Sequence, residues 1–197
     1  LAPRLARQAA RVVVVPEALW KVFTGLESPA RIGFLMPLAG EHALTGVVQS
    51  GVPTVVLDRL QDAGNVGSIL RSAAALGVGQ VLALKGTAGL WSPKVLRAGM
   101  GAHFGLNLVE QLSAEDLAGL GVPLVATSSH TENELHSVNL PEPCAWVMGH
   151  EGQGVSGELM ARCTLSVRIP QPGGEESLNV AAATAICLYE SLRRRVA

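Results

Sequence analysis

Short apolar runs alternate with longer helical runs from residue 52 onward, and this alternation constrains the fold more than any other feature. The apolar runs hold few polar positions, which is typical of parallel strands buried on both faces. Strands are predicted at Pro53–Leu57, Gln80–Leu84, Leu106–Val109, Pro123–Thr127, Cys144–Met148 and Leu165–Ile169. Helices are predicted at Val66–Leu76, Pro93–Met100, Ala114–Leu120, Gly157–Cys163 and Asn179–Arg195. The pattern predicts an α/β domain with a parallel sheet flanked by helices.

Residues 1–50 follow a different pattern and include five basic and three acidic side chains. A basic helical stretch is predicted at Leu5–Arg11, a strand at Val12–Val15, a helix from Pro16 to about Phe23 and a strand at Ile32–Met36. The glycines and proline after this segment indicate a linker. Because the chain starts at Leu1, we expect residues 1–50 to be the tail of a small α/β domain whose beginning is absent. A second domain is expected at 51–197.

Charge and cysteine content exclude several classes of function. The chain has 15 basic and 16 acidic residues, so it is not a polybasic protein that holds nucleic acid by bulk charge alone. Cys144, Cys163 and Cys187 are scattered without metal-ligand spacing, which favours buried thiols in a reducing cytoplasm over disulfides or a metal site. The apolar runs are too short to span a bilayer, so no membrane partner is expected.

Polar residues and glycines follow three of the predicted strands, where ligands bind in open α/β sheets. In the first of these loops, residues 58–71, Asn65 is predicted to cap the following helix. Arg71 lies close to two turns further along, on roughly the same side of the helix as Asn65. A helix cap and a solvated arginine would explain this segment without any catalytic role.

The second loop, residues 149–156, contains Gly149, Gly152 and Gly154 around Glu151. Glycines at this density let a ligand approach the backbone, although a tight structural turn would explain them too. Their spacing fits neither the dinucleotide fingerprint GxGxxG nor a phosphate-binding P-loop.

The third loop, residues 169–181, is rich in proline and glycine and leads into the final helix. Ser177 and Asn179 stand at the start of that helix, where capping alone would explain Ser177. Other catalytic patterns are missing, since residues 154–157 are one position short of the GxSxG elbow and no HExxH pair occurs.

Taken together, the loops resemble the SpoU/TrmH family of RNA ribose 2′-O-methyltransferases, within the SPOUT class. The first loop resembles the family's NxGxxxR motif, at Asn65, Gly67 and Arg71. The second resembles its GxExxG motif, at Gly149, Glu151, Gly152 and Gly154, and residues 92–102 resemble its SPK…R…GA segment. The third resembles its IPxxGxxxSLNV motif, at Ile169, Pro170, Gly173, Ser177, Leu178, Asn179 and Val180. This chain departs from the family pattern at three positions. His150 stands where many relatives carry Asn, and Gly99 and Ala181 stand where many carry Ser.

The resemblance implies a deep trefoil knot at the C-terminal end, a homodimer through the catalytic domain and S-adenosyl-L-methionine as cofactor. It implies that the cofactor pocket is formed by Thr127, Gly149, Gly154, Ile169 and Leu178. Catalytic groups are implied at Arg71, Asn65, Glu151, Ser177 and Asn179. RNA contacts are expected at Arg59, Lys94 and Arg97, together with the N-terminal basic residues Arg4, Arg7, Arg11, Lys21 and Arg31.

The implied reaction is methyl transfer to a ribose 2′-hydroxyl. Ribosomal RNA is the favoured substrate, because residues 1–50 resemble the end of a ribosomal-protein-like RNA-binding domain. Transfer RNA is an alternative substrate. A non-catalytic RNA-binding protein that assists ribosome assembly is an alternative from another class, and an ordinary nucleotide-binding α/β enzyme is a third, weakened by the missing fingerprints.

Overall fold

Six parallel strands form a single sheet in the second of two compact units, Leu1–Leu38 and Ala39–Ala197. The computed structural model describes residues 2–24, 30–35, 47–173 and 178–196. The strands are β1 (Thr54–Leu57), β2 (Gln80–Leu84), β3 (Asn107–Leu112), β4 (Leu124–Thr127), β5 (Ala145–Met148) and β6 (Leu165–Val167). Their spatial order is β3-β2-β1-β5-β4-β6, so β5 lies between β1 and β4. The predicted parallel α/β sheet is confirmed.

The described α-helices are α1 (Ala2–Gln8), α2 (Glu17–Thr24), α3 (Ala63–Ala75), α4 (Pro93–Gly99), α5 (Gly157–Arg162) and α6 (Val180–Val196). The predicted helix at Ala114–Leu120 is wrong, because this segment forms only a 3-10 turn at Glu115–Gly119. The segment is short, ends at Gly119 and is followed closely by Gly121. It forms too few hydrogen bonds to offset the free energy of nucleating an α-helix. Within the described residues, no helix is both long and apolar enough to cross a membrane.

Helices cover the sheet on both faces because side chains alternate along each strand. Val55 and Leu57 of β1 pack into one buried cluster with residues of α3, α4 and α6. Val56 between them packs on the opposite face, in a cluster that contains Leu159 of α5. All four residues of β1 are buried, which explains why a continuous apolar run was the signal for this strand.

The final helix is fixed to the sheet by apolar packing and one buried hydrogen bond. Cys187 and Leu188 of α6 are buried, and the indole Nε1 of Trp146 donates to Ser191 Oγ of the same helix at 3.0 Å. Burial raises the pKa of the Cys144 thiol to about 12, so this cysteine is a neutral core residue rather than a nucleophile. The packing of α6 returns the end of the chain to β5 and α3.

In the first unit, the structure contradicts both predicted strands. Residues 12–15 and 32–35 are described without strand structure. The predicted helices are present but shifted, as α1 and α2. Val14 is 92% exposed. A β-prone sequence forms a strand only when a partner strand completes its hydrogen bonds, and none lies beside these residues in the described part of the unit. The proposed roles of the two parts of the chain stay predictions.

Candidate functional site

The described parts of the three polar loops lie at the carboxyl edge of the parallel sheet. The first loop follows β1 and the second follows β5, and these strands are hydrogen-bonded neighbours. The third loop follows β6 and leads into α6, which packs against β5 and α3. The strand order and the return of α6 therefore bring three segments that are distant in sequence to one place.

Asp62, rather than the predicted Asn65, caps α3. Its carboxylate oxygen Oδ1 accepts from the backbone N–H of Asn65 at 2.7 Å. The helix consequently begins at Ala63, three residues before the predicted start. Because Asp62 takes the capping role, the amide side chain of Asn65 in the first turn is available for contacts outside its own helix.

Asn65 connects the other two loops through its side-chain amide. Its Nδ2 donates to Glu151 Oε1 at 3.3 Å, and its Oδ1 accepts from Asn179 Nδ2 at 2.9 Å. The direction of both bonds is set by chemistry, because a carboxylate only accepts and the backbone N–H groups bound by Asn179 Oδ1 only donate. Those N–H groups belong to Ala181 and Ala182, at 2.9 and 3.2 Å. We call Glu151, Asn65 and Asn179 the polar triad.

The Glu151 carboxylate also holds the backbone that precedes α3. It accepts from the N–H groups of Asp62 at 3.2 Å and Gln61 at 3.4 Å. Partial burial pushes the pKa of Glu151 upward, but these hydrogen bonds and the one from Asn65 outweigh burial and lower the pKa below its usual value. Glu151 is therefore an anion and a pure hydrogen-bond acceptor at neutral pH.

The second loop is closed by backbone contacts that require glycine. His150 and Gly154 exchange two hydrogen bonds, at 3.0 and 2.8 Å, and His150 Nδ1 accepts from the N–H of Gly152 at 3.0 Å. A Cβ atom at Gly149 would lie 2.1 Å from the backbone of Gly154 and of Val155. Gly154 has a φ of 69°, which side chains disfavour. A side chain at position 149 would therefore push the two ends of the loop apart, and the loop presents only backbone groups there.

Asp58 and Arg59 fasten this second loop to the end of β1. Arg59 Nε donates to Asp58 Oδ1 at 2.9 Å, and Arg59 Nη1 donates to Gln153 Oε1 at 3.0 Å. The other carboxylate oxygen of Asp58 accepts from the Ser156 N–H at 2.6 Å. The hydrogen bond and charge of Asp58 raise the pKa of Arg59. Asp58 was missed in the sequence, although a carboxylate directly after a buried strand is a detectable signal.

The remaining predicted site residues lie on the surrounding elements. Arg71 is exposed on α3, without a side-chain hydrogen bond or ion pair among the described residues. Lys94 and Arg97 are exposed on α4, which packs against α3. Thr127 ends β4 half-buried. Ser177 lies outside the described residues.

Two apolar residues of the predicted cofactor pocket lie in the third loop. Ile169 is half-buried just beyond β6, and Leu178 is 40% exposed just before α6. Gln171 in the same loop has a buried Oε1 atom with no hydrogen-bond partner in the described part of the chain. The described part of the loop thus offers apolar surface and one acceptor without a partner among the described residues.

Comparison with known proteins gives consistent matches. The family described as SpoU rRNA Methylase matches residues 53–189. A 23S rRNA (uridine(2479)-2′-O)-methyltransferase from Streptomyces viridochromogenes is 27% identical over 94% of this chain and 68% of its own length. The 23S rRNA (guanosine-2′-O-)-methyltransferase RlmB from Bordetella pertussis is 36% identical over 79% of this chain and 65% of its own length.

Solved structures agree with this match. The crystal structure of an AdoMet-bound rRNA methyltransferase from Sinorhizobium meliloti superimposes with a TM-score of 0.80 and 29% identity. The similarity covers 100% of this chain and 76% of that protein. The chain spans about two thirds of the length of the two sequence relatives.

Proposed function

Because the chain belongs to the SpoU rRNA methylase family, we propose that it transfers a methyl group from S-adenosylmethionine to a ribose 2′-hydroxyl of ribosomal RNA. The observation that carries this proposal is the polar triad, which joins one residue from each of the three family-like motifs. Helix capping or a tight turn would explain each motif alone, but neither requires hydrogen bonds between them.

The residues at the carboxyl edge fit the proposed cofactor. Gly149 has no side chain, so only its backbone groups can line the pocket. Ile169 and Leu178 supply apolar surface for an adenine ring. The Oε1 of Gln171, which has no partner among the described residues, is an acceptor suited to an amino group. When bound, S-adenosylmethionine supplies a methyl group that its own sulfonium centre activates. Thr127 and Gly154 complete the proposed pocket.

Arg71 is the proposed catalytic residue. An arginine is a poor base, because its guanidinium stays protonated in proteins. Its guanidinium is suited instead to hold the phosphate beside the target ribose and to stabilise negative charge that develops on the 2′-oxygen. A phosphate oxygen or water takes the proton. The exposed position of Arg71, without a partner among the described residues, leaves its donors available for RNA.

The polar triad orients the reacting groups in this proposal. Ionised Glu151 fixes the amide of Asn65, and Asn65 in turn fixes Asn179 at the start of α6. Much of the rate of a methyl transfer can come from such positioning. Ser177 completes the set through its hydroxyl, a role that rests on the resemblance.

RNA would bind along the exposed basic residues. Lys94 and Arg97 on α4 lie beside the helix that carries Arg71, and Arg59 is the third predicted contact. The N-terminal basic residues are proposed as further RNA contacts within their own unit. The names of the Streptomyces and Bordetella relatives support 23S ribosomal RNA as the substrate class. A cytoplasmic location is proposed, because the protein would meet ribosomal RNA there and the scattered cysteines predict a reducing compartment.

We further propose a homodimer that uses the catalytic domain, with Arg71 acting on the partner's cofactor site. Exposed Ile186 and Tyr189 on α6, 40% and 59% accessible, support an interface on this helix. The deep trefoil knot is proposed for the third loop and α6. Its support is the insertion of β5 between β1 and β4, followed by the return of α6 to the sheet.

The test is methyl transfer from labelled S-adenosylmethionine to separate pools of ribosomal and transfer RNA. We expect label in ribosomal RNA, and label only in transfer RNA would refute the substrate class. Once the site is mapped, an RNA with a single 2′-deoxy nucleotide at that position should accept no methyl group. Unchanged methylation of the deoxy substrate would refute ribose as the target. Failure of the chain to bind S-adenosylmethionine in calorimetry would favour the non-catalytic alternative.

A further inference from the structure

Arg59 is held in a backbone conformation that residues with side chains rarely adopt. Its φ is 59°, in the left-handed region. The hydroxyl of Thr87 supports this conformation, since it accepts from the Arg59 N–H at 3.1 Å and donates to the Leu57 carbonyl at 3.0 Å. Such conformations persist where the surrounding contacts enforce them, and they concentrate at functional sites.

The guanidinium of Arg59 contacts the second loop at two points. Nη1 donates to Gln153 Oε1 at 3.0 Å, and Nη2 donates to the Gly154 carbonyl at 3.5 Å. One carboxylate oxygen of Asp58 accepts from the guanidinium of Arg59, and the other accepts from the Ser156 N–H. Because Asp58 is 2% exposed, this ion pair is shielded from solvent on the carboxylate side. The Asp58–Arg59 pair is therefore hydrogen-bonded to three residues of the second loop, Gln153, Gly154 and Ser156.

These contacts bear on the shape of the loop rather than on a ligand directly. The Gly154 carbonyl that Arg59 binds is the same atom that accepts from the His150 N–H at 3.0 Å. The backbone of Gly154 is also what packs against Gly149. A shift of Gly154 would thus displace Gly149, which we place at the wall of the cofactor pocket.

We propose that Arg59 is a positioning residue for S-adenosylmethionine, which holds the loop of residues 149–156 in the shape that the cofactor requires. This inference rests on the proposed function, because the cofactor site is itself proposed there. It competes with the predicted RNA contact of Arg59, since the four bonds to Asp58, Gln153 and Gly154 leave one of the five guanidinium donors for a phosphate.

The experiment measures S-adenosylmethionine binding by calorimetry for the wild-type chain, four single variants and the double variant Arg59→Gly/Gln153→Ala. Arg59→Gly removes the guanidinium and suits the left-handed backbone, and Arg59→Lys keeps the charge without reaching both loop partners. Gln153→Ala removes a partner on the exposed side, where folding is not at risk. Lys85→Ala is the matched control, since Lys85 is an exposed cation at the end of the neighbouring β2.

We expect Arg59→Gly to bind the cofactor about tenfold more weakly, the loss typical of a charge-assisted hydrogen bond. Gln153→Ala should weaken binding in the same direction, and the double variant should lose less than the sum of the two single effects. In turnover, KM for S-adenosylmethionine should rise while KM for RNA and kcat at saturating cofactor stay within about twofold. Lys85→Ala should bind as the wild type does.

Three results would overturn the inference, and they are distinguishable. If the wild-type chain binds the cofactor and both Arg59→Gly and Gln153→Ala bind it equally well, Arg59 does not position the loop. A raised KM for RNA in Arg59→Gly with unchanged cofactor affinity would assign Arg59 to RNA instead. Absence of cofactor binding in the wild-type chain would remove the proposed function and this inference together.

Discussion

Replacing Asn179 separates the two contacts that this side chain makes. Its Oδ1 accepts from two N–H groups at the start of α6, and its Nδ2 donates to Asn65. Asn179→Ala removes both contacts. Loss of a helix cap costs about 1 kcal/mol and loss of the hydrogen bond about 1 kcal/mol more, so we expect the variant to be about 2 kcal/mol less stable. For a chain of this size that corresponds to a fall of about 4–8 °C in Tm.

Asn179→Asp keeps the cap and removes only the donor. A carboxylate at the start of α6 accepts from the same N–H groups and interacts favourably with the helix dipole. It cannot donate to Asn65 Oδ1, so the polar triad loses the bond between the first and third motifs. We expect Tm within about 3 °C of the wild type, but turnover lower by about tenfold if this bond contributes about 1.4 kcal/mol to positioning.

The assay pairs thermal unfolding with single-turnover methylation of ribosomal RNA. Asn107→Asp is the matched control, because it makes the same chemical change on β3, at the amino edge of the sheet, where Asn107 Nδ2 donates to Val47 and Gln80. It should lower Tm without lowering turnover of the folded protein. Wild-type turnover in Asn179→Asp would refute a role for the polar triad, and a wild-type Tm in Asn179→Ala would refute the capping argument.

Variants at three other positions test separate parts of the site and fold. Arg71→Ala and Arg71→Lys should each lower turnover by about 100-fold or more while cofactor affinity in calorimetry stays unchanged, and near-wild-type turnover in both would exclude Arg71 from the reaction. Gly149→Ala should abolish cofactor binding in equilibrium dialysis and destabilise the chain by about 1–3 kcal/mol, because the new Cβ would meet the backbone of Gly154. Hydrogen bonds from Arg193, opposed by burial and assisted by Arg194, lower the pKa of Glu190 to about 2 from its ordinary 4.5. Its contribution is therefore full above about pH 4.5 and is lost as pH falls toward 2, so in urea unfolding Glu190→Gln should be about 1 kcal/mol less stable than wild type at pH 7 and equal to it near pH 2. A stability difference that does not change with pH would contradict this.

Strands were the most predictable part of the fold because burial on both faces leaves an uninterrupted apolar run. The predicted strand at Gln80–Leu84 coincides with β2. The predicted strand at Leu106–Val109 stopped too early, since β3 continues to Leu112 through Glu110. Glu110 is buried because its carboxylate accepts from the Leu90 N–H, a tertiary contact that hydrophobicity cannot reveal.

The order of the strands and the N-terminal segment were beyond local pattern. Nothing in an apolar run tells which runs become neighbours, so the position of β5 between β1 and β4 had no sequence signal. The opposite failure occurred at Val12–Val15, where strong β propensity predicted a strand that the structure lacks. Propensity describes fit to a sheet, and these residues have no sheet beside them in the described part of their own unit.

Within the site, the motif residues could be named from the resemblance, but their contacts could not. Asp62 and Asn65 are both good capping residues, three positions apart, and sequence alone does not choose between them. The structure gives the cap to Asp62, and the prediction for Asn65 was wrong for that reason. Only Glu151, which lies 86 positions further along the chain, shows what the Asn65 amide binds instead.

The distinction between capping and function depends on contacts across the three loops. Asp62 caps α3 and Asn179 caps α6, so each of these two residues has a sufficient local explanation. A local explanation does not require Asn179 to reach Asn65, which is 114 positions away in the chain. A pair of amides held in one defined orientation by a carboxylate at one end and a helix start at the other has little freedom to move. That rigidity is what positioning of a ribose opposite a methyl donor demands, and it is the reason to test the Asn65–Asn179 bond by a change that leaves both helix starts intact.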